Sequence, residues 1–286
     1  MEYRNLSRYL REKYGTRVGK ICIDGGFSCP NRDGTCGEGG CIYCGERGAG
    51  EHIDPNLSIR EQVEKSLSDA RADDYFIAYF QNFTNTYAPV EVLRERYDSA
   101  LIDDRIKILS VGTRPDCISE DVCRLLSEYQ RTREVWVELG LQTASDRTAA
   151  LINRGYMKET FCTAMSLLKK YSIPTVVHIM IGLPGEGMEE IKETAAFLSK
   201  FELFGIKIHS VYVMRGTRLA EMYEQKLYTP PTLSEYADAT AYILKSLPKS
   251  TVVHRLTGDC PRDELVAPEW NRDKNKILEE IRKRLI

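Results

Sequence analysis

Gly19-Lys-Ile-Cys-Ile-Asp24 runs directly into Gly25-Gly-Phe-Ser-Cys-Pro-Asn-Arg-Asp-Gly-Thr-Cys-Gly-Glu-Gly-Gly-Cys-Ile-Tyr-Cys44. A short apolar strand pattern is followed by a glycine-rich loop that carries cysteines. Cys41 and Cys44 flank a Cys-x-x-Cys step, and Cys29 lies upstream across Gly34, Gly37, Gly39 and Gly40. A structural zinc or an ordinary iron–sulfur cluster takes four thiolates. A cluster held by only three leaves one iron free to bind another molecule. Glycines let backbone amides approach inorganic sulfide, and such contacts tune a cluster. On this loop alone, zinc held by four of five cysteines competes, with Cys22 or Cys36 completing the set. Zinc knuckles usually come as two close pairs, and this loop has one.

Outward from the loop, further short β-branched runs appear at 75–80, 106–111, 134–141, 175–181 and 206–213. Helical periodicity fills the intervals at 58–71, 89–101, 119–129, 145–152 with 159–171, and 187–202. Ser119, followed by Glu120 and Asp121, caps one of these helices. Six strands alternating with helices predict parallel βαβ units, in a barrel or an open sheet. Such folds carry their sites in the loops after the strands. The informative residues fall there: the cysteine loop, Gln81 to Tyr87, Gly112 to Asp116, Gln142-Thr143 and Gly182 to Glu186. No repeat, linker or low-complexity stretch interrupts the pattern. We therefore expect a single domain over 1–286: an N-terminal basic extension (1–18), a partial barrel core (19–214) and a C-terminal elaboration (215–286).

The chain has 286 residues, 42% hydrophobic and 29% charged, with a net charge of −2. Nothing in that balance advertises nucleic acid. No apolar run approaches the roughly 20 residues that span a membrane, and the N-terminus lacks a signal-peptide core. These features predict a cytoplasmic protein whose nine cysteines serve metal or catalysis rather than disulfides. Charge is uneven: residues 1–20 hold six basic side chains against two acidic ones, and residues 271–286 hold six against three. Two basic ends could grip phosphates; two solvated helices are the plainer alternative.

The loop with its terminal Cys-x-aromatic-Cys, followed by βα units, resembles the radical S-adenosylmethionine (SAM) superfamily. Cys29-Pro-Asn-Arg-Asp-Gly-Thr35, Gly39-Gly-Cys-Ile-Tyr-Cys44, Ala78 to Pro89 and Ser110 to Cys117 resemble its YhcC-like subfamily. Glu138-Leu-Gly-Leu-Gln-Thr143, Asn153-Arg-Gly155 and His178 to Gly185 are similar to segments of the Elongator catalytic subunit, a tRNA-modifying radical SAM protein.

The resemblance implies an α/β fold, a partial (β/α)6 TIM-type barrel, with a [4Fe–4S] cluster on Cys29, Cys41 and Cys44. It implies reductive cleavage of S-adenosylmethionine to a 5′-deoxyadenosyl radical that abstracts hydrogen from substrate. Gln81 stands where the family binds the SAM amino group through a Gly-Gly-Glu-like segment. Tyr43 would lie beside the cofactor, Glu138 and Gln142 near its ribose or the substrate, and Gly182 and Gly185 against adenine. Arg154 is either a partner of the SAM carboxylate or a surface arginine. Thr84, Asn85, Arg114 and Asp116 are candidate substrate contacts, with loop capping as the alternative. His178 and His209 read as satisfied core histidines. Cys22 reads as a buried strand residue, and Cys117, Cys123, Cys162 and Cys260 as packing residues. The expected partners are a low-potential electron donor of flavodoxin or ferredoxin type and tRNA through the basic termini, with a wobble-uridine side chain as substrate. A small metabolite or peptide substrate is the nearest rival, and a zinc-stabilised binding module the rival of another class.

Overall fold

The computed structural model describes residues 3–48, 53–54, 56–68 and 70–286. Glu2, counted in the N-terminal charge, and residue 69 of the expected helix 58–71 lie outside them. In chain order the elements are β1 (Arg4–Asn5), α1 (Leu6–Tyr14), β2 (Val18–Ile23), α2 (Ile59–Ser68), β3 (Tyr75–Phe80), α3 (Val90–Ala100) and β4 (Ile106–Thr113). Next come α4 (Glu120–Tyr129), β5 (Glu134–Gln142), α5 (Asp146–Leu151), α6 (Lys158–Lys170), β6 (Thr175–Ile181), α7 (Met188–Leu198) and β7 (Gly205–Ser210). The chain ends with β8 (Val213–Met214), α8 (Arg218–Glu224), α9 (Leu233–Ser246), β9 (Val252–Arg255), β10 (Leu265–Ala267) and α10 (Lys274–Leu285).

Eight strands form one parallel sheet in the order β1-β9-β7-β6-β5-β4-β3-β2, curled into a partial barrel. The period-2 alternation of a strand divides its side chains between two faces. On β5, Val135, Val137, Leu139 and Leu141 point outward into the main core with the helices. There they meet Val122 and Leu126 of α4 and Phe161 and Leu168 of α6. Each such side chain contributes about 1.5–3 kcal/mol on burial. Ser119 caps α4 as its sequence suggests, its side chain accepting from the Val122 amide at 3.2 Å.

The inner face is divided along its length. At the amino ends of the strands, α1 lays Leu10 against Ile77, Ile108, Trp136 and Val176, with Tyr79 at the top of the same cluster. Tyr9, Lys13 and Tyr14 of α1 all bond the Glu134 carboxylate, at 2.7 to 2.8 Å. The helix therefore plugs the bottom of the lumen. Toward the carboxyl ends the inward side chains turn polar, and among the described residues no plug fills the space.

The expected strand 206–213 ends at Ser210. On one side β6 stops at Ile181 opposite Ser210; on the other, β9 stops at Arg255 opposite Lys207. The Val211 amide makes a last bond to the Ile181 carbonyl at 2.9 Å, and Val213–Met214 pairs antiparallel with β10 instead. The two strands of this sheet absent from the sequence pattern, β1 and β9, are far apart along the chain and pair with each other; β10, outside the sheet, is absent from the pattern too. Among the described residues, no helix is long and apolar enough to cross a membrane.

Candidate active site

A cavity of about 750 Å³ opens at the carboxyl ends of β2 to β7. Cys29, Cys41 and Cys44 lie in its wall, as do Tyr43, Gln81 and Thr84. Arg114, Glu138, Gln142 and Arg154 also reach it.

The cysteine loop is held by side chain to backbone bonds. Asn31 is fully buried, and its amide nitrogen donates to the Asn153 carbonyl at 2.6 Å and toward the Cys41 sulfur at 3.7 Å. Asn153, in the left-handed region at φ 53°, returns bonds to the Glu38 and Gly40 carbonyls. A Cβ on Gly155 (φ +84°) would stand 2.7 Å from the Asn31 side-chain oxygen, so only glycine allows this approach. The Arg32 guanidinium donates to the carbonyls of Cys44, Gly45 and Glu46. A hydrogen bond from Cys44 pulls the Cys41 thiol down to about 6. The three thiols share one cavity, yet among the described residues no three His, Cys, Asp or Glu side chains are placed to hold a single metal ion. Three thiols are the donor chemistry that iron–sulfur clusters take. Cys36 does not line the cavity.

Beside the loop, the Tyr156 ring lies between two guanidiniums, Arg114 at 4.8 Å and Arg154 at 4.4 Å. Arg114 is paired with Asp116 at 2.6 Å and donates to the Arg154 carbonyl. Arg154 is 1% exposed and donates to the carbonyls of Leu141, Thr143 and Tyr156. Its remaining terminal nitrogen makes no hydrogen bond among the described residues, and neither does the buried hydroxyl of Thr84. Both residues line the cavity, and that Arg154 nitrogen lies 3.8 Å from the Asp146 carboxylate. A register shift between Gly140 and Gln142 leaves Gln142 at φ 65°, a strained conformation for a side chain that lines the cavity.

Lower in the lumen, Glu138 is 2% exposed. One carboxylate oxygen accepts from Ser110 at 2.8 Å; the other meets His178 at 2.7 Å and the Lys207 ammonium. Burial opposes its charge, but Lys207 and His178 outweigh burial and hold the carboxyl well below its usual range. Burial brings Lys207 down to about 7 against the pull of Glu138. Burial also lowers His178 and His209, so both are neutral near pH 7. An ionised Glu138 only accepts, hence His178 Nε2 carries the hydrogen.

Several expectations shift. Arg154 is buried in the wall, which removes the surface alternative. His178 and His209 line the cavity rather than the core, and Cys22 does too, because β2 is an edge strand whose even positions face the lumen. Asn85 is fully buried behind the wall, bracing the Gly112 carbonyl at 2.8 Å. Asp116 acts through Arg114. Gly182 and Gly185 are not in the cavity lining; a Cβ on Gly182 would stand 2.7 Å from Pro231, which is reason enough for glycine. Sequence reading missed Lys20, Tyr79, Lys207 and Asn31. Lys207 was findable as a lone cation in the strand Ile206-Lys-Ile-His209, in phase with His209.

A model of the Radical SAM superfamily matches residues 33–198, and one of the Radical_SAM C-terminal domain matches 204–286. The chain is 39% identical to YtqA of Bacillus subtilis over 99% of this chain and 89% of that protein. It is 36% identical to YhcC of Escherichia coli, over 91% of this chain and 85% of the relative. A Methanocaldococcus jannaschii protein named tRNA uridine(34) acetyltransferase is 24% identical over 93% of this chain and 56% of its own length. The structure of Elp3 from Methanocaldococcus infernus superposes with a TM-score of 0.69 at 20% identity, covering 94% of this chain and 63% of that one. The chain thus spans less than two thirds of these last two, and at that identity the structural likeness speaks for the fold alone.

Proposed function

We propose a function that proceeds from family membership: the chain belongs to the radical SAM superfamily, whose enzymes use a [4Fe–4S] cluster and S-adenosylmethionine, and Cys29, Cys41 and Cys44 hold the cluster here. The observation that carries this reading is the meeting of those three thiols with spare polar groups in one cavity of about 750 Å³ at the carboxyl edge. When bound, cluster and SAM supply a one-electron route to hydrogen-atom abstraction from an unactivated carbon. The protein's residues position and shield that chemistry. Asn31 and Asn153 fix the loop so that the thiols face inward. The Arg154 guanidinium, its outer nitrogen 3.8 Å from Asp146, suits the SAM carboxylate, Gln81 its amino group, and Gln142 a ribose hydroxyl. Tyr43 covers the cysteine end of the cavity. Glu138 lies below, closer to substrate than to cofactor. Electrons come from a flavodoxin- or ferredoxin-type donor, in the cytoplasm.

The substrate we favour is tRNA, at a wobble-uridine side chain. Its support is the named activity of the archaeal relative, together with basic groups (Arg32 and Lys65) on the cavity lining. The N-terminal helix sits at the opposite end of the lumen, and two of its cations are engaged: Arg8 with Glu12 and Lys13 with Glu134. RNA contact at the reacting end therefore falls to the cavity rim.

Anaerobic reconstitution tests the cluster: about four irons per chain and cleavage of SAM are expected. Cys41→Ala should abolish both, and Cys36→Ala should leave both. A colourless zinc protein, or loss of iron in Cys36→Ala, refutes the ligand set. Gel shift with bulk tRNA across a salt series tests the substrate, because phosphate contacts weaken steeply with salt. Absence of binding at low salt refutes tRNA and turns the search to small molecules and peptides.

A further inference from the structure

The lower lumen holds more cations than its carboxylates answer. Lys207 and Arg255 stand directly opposite each other on β7 and β9, a like-charge pairing that costs stability on adjacent strands. From the far edge strand, the Lys20 ammonium lies over the Tyr79 ring at 4.8 Å, and Lys207 lies over the same ring at 4.2 Å. Glu138 answers Lys207. Arg255 is 3.8 Å from Asp259, a carboxylate also taken by Lys274 at 2.8 Å. Lys20 makes no hydrogen bond or ion pair among the described residues. Among the described residues the cavity is lined by seven Lys and Arg against three Asp and Glu, in a chain of net charge −2. Neutral His178 and His209 and the Cys22 thiol, which burial pushes up, add no countercharge. A cationic pocket with low-dielectric walls concentrates anions.

We propose that this lower lumen is a subsite for an anionic group of the substrate, a carboxylate or a phosphate, held by Lys20, Lys207 and Arg255. Tyr79 lies beside it, its phenol oxygen accepting from Lys207 at 3.1 Å and its hydroxyl bonded to Glu138. Below Tyr79 the α1 plug closes the lumen, so the group is bound at a dead end and the rest of the substrate extends up toward the cysteines. The subsite selects substrates by charge and sets how deep they sit. It rests on the reading of the upper cavity as the cofactor end.

The test uses the full chain, purified anaerobically, titrated with sodium phosphate and separately with sodium acetate. Sodium chloride at equal ionic strength is the control, and melting temperature the readout. One of the two anions should raise Tm saturably where chloride does not, and the one that saturates at lower concentration names the group. Lys20→Gln and Arg255→Leu should each weaken that binding at least ten-fold. Lys20→Gln, on the open edge strand, keeps the result readable if Arg255→Leu fails to fold. Responses matching chloride for both anions, or wild-type binding in Lys20→Gln, overturn the proposal. Iron content and SAM cleavage of the same wild-type preparation report separately. Iron-loaded, SAM-cleaving protein indifferent to both anions refutes the subsite alone. Protein that binds the anion but takes up no iron refutes the cofactor reading alone.

Discussion

Replacing Glu138 by Gln removes a charge while keeping the shape that Ser110 and His178 bond. Lys207 then loses its counterion while 2% exposed, with Lys20 and Arg255 nearby. Breaking a buried ion pair on one side costs about 3–5 kcal/mol. At about 2.1 cal/mol/K per residue, a chain of 286 residues unfolds with an entropy of about 0.6 kcal/mol/K, so Tm should fall by ~5–8 °C. The measurement belongs at pH 6, below the Lys207 value of about 7, where the wild-type ammonium is charged. Adding Lys207→Met removes the stranded cation and should return stability to within about 1 kcal/mol of wild type, or above it. The double-mutant cycle would then show a coupling of at least ~2 kcal/mol. Thermal melts of cluster-free protein by circular dichroism read all four members of the cycle. A Glu138→Gln variant within about 1 kcal/mol of wild type, or a double variant that loses the sum of the singles, would refute the coupled pair.

Burial pushes the Glu186 carboxyl up to about 7, against its hydrogen bonds to Thr143 and Thr148. A raised carboxyl stabilises the fold fully below its unfolded value and loses that contribution as pH rises through 7. Discounted for partial exposure, Glu186→Gln should gain about 1–2 kcal/mol on wild type between pH 5 and pH 8; a pH-independent difference in Tm rejects this. Gly155→Ala forces a Cβ to 2.7 Å from Asn31 at φ +84° and should cost about 1–3 kcal/mol while lowering iron uptake. Wild-type iron content in that variant would show that the loop tolerates the shift. Leu10→Ala, in the plug at 5% exposure, should cost about 2–5 kcal/mol in denaturant unfolding; a loss under about 1 kcal/mol would mean α1 does not seal the lumen.

The βα alternation was legible because its strands are short β-branched runs and its helices carry a 3.6-residue period. Tyr75–Phe80 and Thr175–Ile181 have the expected limits, and β5 ends one residue later than expected, at Gln142. The ends were not legible. β1 is two residues long and exists only because β9 offers it backbone partners, which no local pattern records. At the site, the cysteines and Glu138 with Gln142 stood out by spacing and parity. Asn31 did not, because its role comes from Asn153 and Gly155, more than 100 residues away in sequence. The glycines after β6 misled for a related reason: Gly182 is demanded by Pro231, a packing partner invisible along the chain.

The pairing of Arg4 with Val252 orders events during synthesis. A ribosome delivers residues in sequence, so the first strand of the sheet waits for nearly the whole protein before its partner emerges. Closure at such sequence separation is entropically costly and late. The cysteine loop and the strands from β2 to β7 are all made while that end of the lumen still lacks its finished seal. The partners of Leu10 (Ile77, Ile108, Trp136 and Val176) all precede β7, so what a nascent chain leaves open until β9 is made is the β1 edge. Truncation beyond β7 would leave the β1 and β7 edges without β9 between them, making the C-terminal segment a guard against edge-to-edge association as well as a part of the barrel.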